Sequence, residues 1–153
     1  MARLEQLPEP LRSRLAGLEC PTFEDDPWVE GPPLKERRVA IVSTAGLHRR
    51  TDRPFELMSG EYRVIPGDTN MNDLIMSHVS PNFDRTGFQT DLNVVFPLDR
   101  LRELVEGKVI GSLANYHYSF MGATDPRQME GAARALAPLL TRDRVNAVLL
   151  VPV

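Results

Sequence analysis

Cysteine is nearly absent: Cys20 is the only one among 153 residues. A lone thiol excludes an internal disulfide and a cysteine-based zinc site, and it fits a reducing, cytoplasmic setting. Cys20 is also a poor nucleophile, because Glu19, Glu24 and Asp25 beside it disfavour the thiolate. Dense basic runs are lacking too. The nearest cluster, Lys35-Glu36-Arg37-Arg38, carries its own acid, and the formal net charge is −3. Nucleic acid and anionic membrane are thereby excluded as main partners. No apolar run approaches membrane-spanning length. The amino-terminal MARLEQLPEPLRSRL lacks the apolar core of a secretion signal. No internal repeat and no low-complexity tract occur, and neither a dinucleotide glycine fingerprint nor a P-loop is present.

What is there suits one soluble domain behind an amino-terminal arm. Residues 1–36 read as arm and linker, with a short helix from about Pro10 and then a stretch rich in proline and acids. Trp28 is the one residue of that stretch able to anchor it. Residues 37–153 alternate strands and helices. Arg38–Ser43 reads as a buried strand, Glu61–Ile65 as a second closed by Pro66-Gly67, and residues 69–77 as a short helix capped by Thr69. Residues 78–92 look irregular and Leu92–Phe96 reads as a short strand. Pro97–Glu106 is helical, with Gly107 at its carboxyl cap. Lys108–Asn115 reads as a strand. Asp125-Pro126-Arg127-Gln128 opens another helix, which Pro138 should kink or end. Val145–Val153, VNAVLLVPV, is the apolar run of a buried parallel strand. The expected fold class is α/β: a layered, Rossmann-like domain with a mostly parallel sheet, incomplete at its carboxyl terminus.

Three constellations could carry chemistry. Ser43-Thr44-Ala45-Gly46 follows a strand, with His48 close behind; its amides and hydroxyls suit a carboxylate or phosphate, or simply a turn of small residues. Gly67-Asp68-Thr69 and Ser77-His78 flank the expected central helix, with Asp84 and Asp91 beyond. Their spacing matches no compact metal-ligand motif, so cap and turn roles are the reading taken here, with a metal site as the alternative. Gly111–Gly122, GSLANYHYSFMG, runs from a strand into an aromatic segment containing His117. That histidine suits acid–base work or orientation of a substrate carboxylate. The same segment equally suits core packing around a structural histidine.

Taken in order, Ser43-Thr44-Ala45-Gly46, Ile65-Pro66-Gly67-Asp68-Thr69, Ser77-His78, Val95-Phe96-Pro97-Leu98-Asp99-Arg100-Leu101, Gly111-Ser112-Leu113-Ala114 with His117, Phe120-Met121-Gly122 and Ala147–Pro152 resemble the glycine/sarcosine/betaine/D-proline reductase selenoprotein B family. The likeness is strongest to its short D-proline-reductase-like branch and spans about residues 37–153. The resemblance implies an oxidoreductase subunit acting in reductive cleavage of a C–N bond in a small amino acid or amine. It implies a partner subunit whose pyruvoyl group binds the substrate amine, and a dithiol or thioredoxin-like reductant. It also implies a selenocysteine or cysteine directly after Val153, so this chain alone should be inactive. On that footing His117 is the expected catalytic residue, acting on substrate or nucleophile. Ser43, Thr44, Asp68 and His78 are expected to bind substrate, and Ser43, His117 and Val153 to converge at one end of the sheet. The alternative is a non-catalytic module of the same fold that binds a small molecule or assembles subunits.

Overall fold

The computed structural model describes residues 4–17, 22, 26, 28–80 and 85–153. Cys20 and Asp84 lie outside these. The chain divides into two compact units, Met1–Glu30 and Gly31–Val153.

In the first unit a 3-10 turn, Leu4–Gln6, precedes helix α1, Glu9–Ala16. Pro10 sits in the first turn, where a missing N–H costs nothing. None of the α1 residues is buried, and Trp28 is 88% exposed, so it anchors nothing.

The second unit is built on β1, Arg38–Ser43. Its apolar run serves both faces of a sheet. Val39 and Ile41 join one cluster with Ile65, Phe96, Leu98 and Leu101, while Val42 packs on the other side with Tyr118, Phe120 and Leu136. Helix α3 (Leu98–Glu106) supplies the first layer and α4 (Pro126–Arg142) the second. Burying a large apolar side chain contributes about 1.5–3 kcal/mol, so the two clusters dominate the stability of the layers.

On one side β1 pairs in parallel with β5 (Ser112–Leu113) and then with β6 (Tyr116–Phe120). On the other side it pairs in parallel with β7 (Ala147–Val151), from Val39↔Ala147 to Ser43↔Val151. Beyond β6 lies β3 (Tyr62–Pro66), which is antiparallel to it. The sheet is thus mostly parallel, as expected, with one antiparallel edge. A separate ribbon pairs β2 (Leu47–Arg49) with β4 (Leu74–Met76). Among the described residues, no helix is long and apolar enough to cross a membrane.

Three local readings change. Residues 69–77 hold a 3-10 turn, Met71–Asp73, and strand β4 rather than a helix, because pairing with β2 wins over the apolar face and buries Leu74. Leu92–Val94 is a 3-10 turn, nucleated by the Asp91 carboxylate accepting from the Asn93 N–H, and short helix α2 (Thr86–Thr90) occupies the stretch read as irregular. Pro138 neither ends nor interrupts α4, which runs on to Arg142. Pro138 and Arg134, whose carbonyl loses its helical partner, both lie on the exposed face. The expected start of α4 holds: Asp125 caps it by accepting from the Arg127 N–H at 2.9 Å.

Candidate functional site

The carboxyl ends of β1 and β7 meet at Thr44 and Val153. The Thr44 N–H donates to the Val151 carbonyl at 3.0 Å. The Val153 N–H donates to Thr44 Oγ1 at 2.8 Å, and that hydroxyl donates back to the Val153 carbonyl at 3.2 Å. Thr44 therefore fixes the backbone beyond the end of β7. The Gly122 N–H donates to the Thr44 carbonyl at 2.8 Å. A Cβ on Gly122 would stand 2.3 Å from the Val153 oxygen and 3.0 Å from His78 Nε2, so only glycine permits this close approach. Gly46 is the second such position: its φ of +66° and its contact with the His78 backbone both exclude a side chain.

His78 completes the cradle. It is buried, its Nδ1 accepts from the Ser80 N–H at 3.3 Å, and its Nε2 and the Val153 carbonyl oxygen both lie against Gly122. Accepting at Nδ1 leaves the proton on Nε2, the nitrogen on the Gly122 side. Burial holds the imidazole pKa below its ordinary value, reinforced by the Arg85 charge and opposed by the nearby Val153 backbone. Arg85 Nη2 donates to the His78 carbonyl at 2.8 Å and to the Ser80 carbonyl at 2.7 Å. A cation thus sits beside a neutral, oriented histidine at the strand end.

The other expected site residues do not turn their side chains into the cradle, although Ser43 stands at the same strand end, opposite Val151. Ser43 is fully buried, its Oγ donating to the Val95 carbonyl at 2.8 Å and accepting from the Ala45 N–H at 3.2 Å. His117 lies inside the sheet, beside Ile41, rather than at the strand end. Between Val39↔Leu113 and Val42↔Tyr118 the chain opposite β1 carries two extra residues, which breaks the ladder. His117 Nδ1 repairs the gap by accepting the Ile41 N–H at 3.0 Å. Its ring packs edge-on to Phe96, and Nε2 has no hydrogen-bond partner among the described residues. Burial, with the Arg102 charge second, lowers its pKa to about 4. Asp68 is exposed in the turn after β3. Because β3 is antiparallel, with Pro66 opposite Tyr116, that turn lies at the end of the sheet away from Thr44 and Val153. Of the three residues expected to converge, Ser43 lies at the strand end opposite Val151 while His117 lies inside the sheet; of the remaining candidates, Thr44 and His78 lie beside Val153.

Two features had no signal in the sequence. Gly122 was legible only as the end of an aromatic segment. Asp143, after α4, receives Arg38 Nη2 at 2.6 Å, the Asn115 N–H at 2.6 Å and the Tyr116 N–H at 3.3 Å, holding the break between β5 and β6. Burial acts to raise its pKa, but the Arg38 hydrogen bond and these amides bring it below the usual carboxylate range. A cleft of about 490 Å³, lined by Met71, Leu74, Arg85, Phe88, Asp91 and Asn93 among others, shares only Arg85 with the cradle. Among the described residues no three His, Cys, Asp or Glu side chains gather as metal ligands would.

Fold and cradle together define an α/β domain whose parallel strands deliver a backbone position to a buried histidine. The chain belongs to the glycine/sarcosine/betaine reductase selenoprotein B family, whose model matches residues 26–153. It is 36% identical over 120 residues to the D-proline reductase subunit gamma of Acetoanaerobium sticklandii, covering 76% of this chain and 49% of that protein. It is 32% identical over 138 residues to the sarcosine reductase complex component B subunit beta of Peptoclostridium acidaminophilum, covering 85% of this chain and 31% of that one. The glycine reductase complex component B subunit gamma of Symbiobacterium thermophilum is 29% identical over 160 residues, with 96% of this chain and 36% of that protein covered. The chain therefore spans half or less of the length of these relatives. No solved structure matches.

Proposed function

We propose that this chain is the part of an amino-acid reductase subunit that seats the reactive selenol or thiol, in a complex that reductively cleaves a C–N bond of a small amino acid or amine. One observation carries this reading: Thr44 holds the backbone of Val153, with buried His78 beside it across Gly122, at the position that a family selenocysteine or cysteine would directly follow. A residue at that point emerges at the carboxyl end of a parallel sheet, where α/β proteins place their chemistry.

The surroundings suit a nucleophile. Gly122 and the Thr44 hydroxyl fix the backbone, so the following side chain starts from a defined direction. Arg85 places a positive charge behind His78, which favours a selenolate or thiolate over its protonated form. His78 itself stays neutral beside the Val153 carbonyl. We assign it a positioning role, and place no catalytic role on His117, whose Nδ1 is engaged with Ile41. Net, the C–N bond takes up two electrons and two protons, becoming C–H and N–H, while a dithiol is oxidised to a disulfide. A pyruvoyl group on a partner subunit would supply the carbonyl that captures the substrate amine.

The test is substrate-dependent dithiol oxidation by the assembled reductase. His78→Phe is expected to lower kcat about a hundredfold through misplacement of the nucleophile. His78→Gln, which keeps an N–H donor, should retain most activity. Equal activity in wild type and His78→Phe would overturn the assignment.

A further inference from the structure

Among the described residues, nothing pairs with the outer edge of the strand that leads to the cradle. The Ile41 N–H faces the β6 side, so Ala40 and Val42 direct their backbone groups toward β7. The Thr44 N–H reaches the Val151 carbonyl, which fixes the phase: Ala147, Leu149 and Val151 bond to β1. Val148 and Leu150 consequently turn their N–H and C=O groups away from the sheet. Their side chains are exposed as well, at 41% for Val148 and 70% for Leu150, and Leu149 on the opposite face is 36% exposed. Helix α4 does not cover this strip, since its core contacts are with Tyr118, Phe120, Val42 and Tyr62. Ala147–Val151 contains no charge, no proline and no bulge, the devices that normally stop an edge from pairing.

We propose that the free edge of β7 is an assembly surface that takes a further parallel strand, supplied by an α/β segment corresponding to the part of the longer relatives that this chain does not match. About half to two thirds of the length of those relatives lies outside the matched portion, since only 49%, 31% and 36% of their lengths are covered. The occupant must bring its own covering layer as well as a strand, because apolar side chains are bare on both faces of β7. A second copy of this chain fails that requirement. It would set one bare β7 beside another and leave both copies of Leu150 uncovered. The identity of the occupant rests on the family reading above. The pairing is measured by binding rather than turnover, so either can fail without the other.

The experiment is amide hydrogen exchange, read residue by residue. In the monomeric chain, Leu149 and Val151 should be protected and Val148 and Leu150 should exchange freely. The chain is then co-expressed with the unmatched portion of the Acetoanaerobium sticklandii D-proline reductase subunit gamma. In the purified complex, exchange at Val148 and Leu150 should slow by about tenfold or more. Leu150→Lys, an edge-blocking charge, should abolish that complex while the fold of the chain is kept. Three results would overturn the proposal: protection of Val148 and Leu150 already in the monomer, protection that grows with the concentration of the chain alone, or unchanged exchange after co-expression.

Discussion

The two edges of the sheet are built in opposite ways. At the β3 edge, Arg63 bonds the carbonyls of Arg53 and Pro54, stacks 4.5 Å over the Phe55 ring and pairs with Glu61, while Pro66 removes a donor at the strand end. Charge and proline close that edge to further pairing. At the β7 edge the sequence AVLLV offers neither. The difference is what the assembly proposal predicts: one edge closed to pairing and the other left open for more protein. It also places the candidate chemistry on the prepared side, since Val153 and its cradle continue directly from β7.

The largest expected effect concerns the ladder between the edges. His117 has a folded-state pKa of about 4, below the roughly 6.5 of an unperturbed imidazole. As pH falls, the unfolded chain takes up this proton first. The stability contribution is full above about pH 6.5, is lost as pH falls toward 4, and changes little below that; the total is on the order of 3 kcal/mol. Urea unfolding across this range should show the loss. The lowered pKa of His78 acts in the same direction, so His117→Phe should flatten the profile in part. That substitution should also cost about 1–3 kcal/mol at neutral pH, by stranding the buried Ile41 N–H.

Smaller effects separate the edges directly. Arg63→Ala should destabilise the chain by about 1 kcal/mol, through loss of the Phe55 stacking and the loop carbonyl contacts. Leu150→Lys should leave stability within about 0.5 kcal/mol, because the side chain is already largely exposed. Its consequence should instead be loss, in sedimentation, of the complex with the unmatched portion of the D-proline reductase subunit gamma. A large stability loss from Leu150→Lys together with none from Arg63→Ala would invert the comparison.

The helices and the parallel core were legible because local signals agreed with the fold. The Asp125-Pro126 start and the apolar runs of β1 and β7 each fit their final surroundings. Residues 69–77 failed because an apolar triplet serves a strand as well as a helix, and only the partner β2 decides. The site was legible in part. Thr44 and His78 stood out as small polar and titratable residues at the ends of expected elements, and both lie beside Val153. His117 stood out for the same reason, yet a break in strand pairing assigns its nitrogen to Ile41, and no sequence pattern marks such a break. Asp68 depended on the direction of β3, which spacing does not reveal.

The most direct measurement is the thiol pKa of a single cysteine added after Val153, in a chain carrying Cys20→Ser so that no other thiol reports. Alkylation rate against pH gives the value. Held by Thr44 and Gly122 beside His78, on which the Arg85 charge acts, the thiol is expected to titrate below the free value of about 8.5, and Arg85→Gln should move it back upward. A pKa at or above about 8.5 that Arg85→Gln leaves unchanged would contradict the placement of a reactive group at the end of β7.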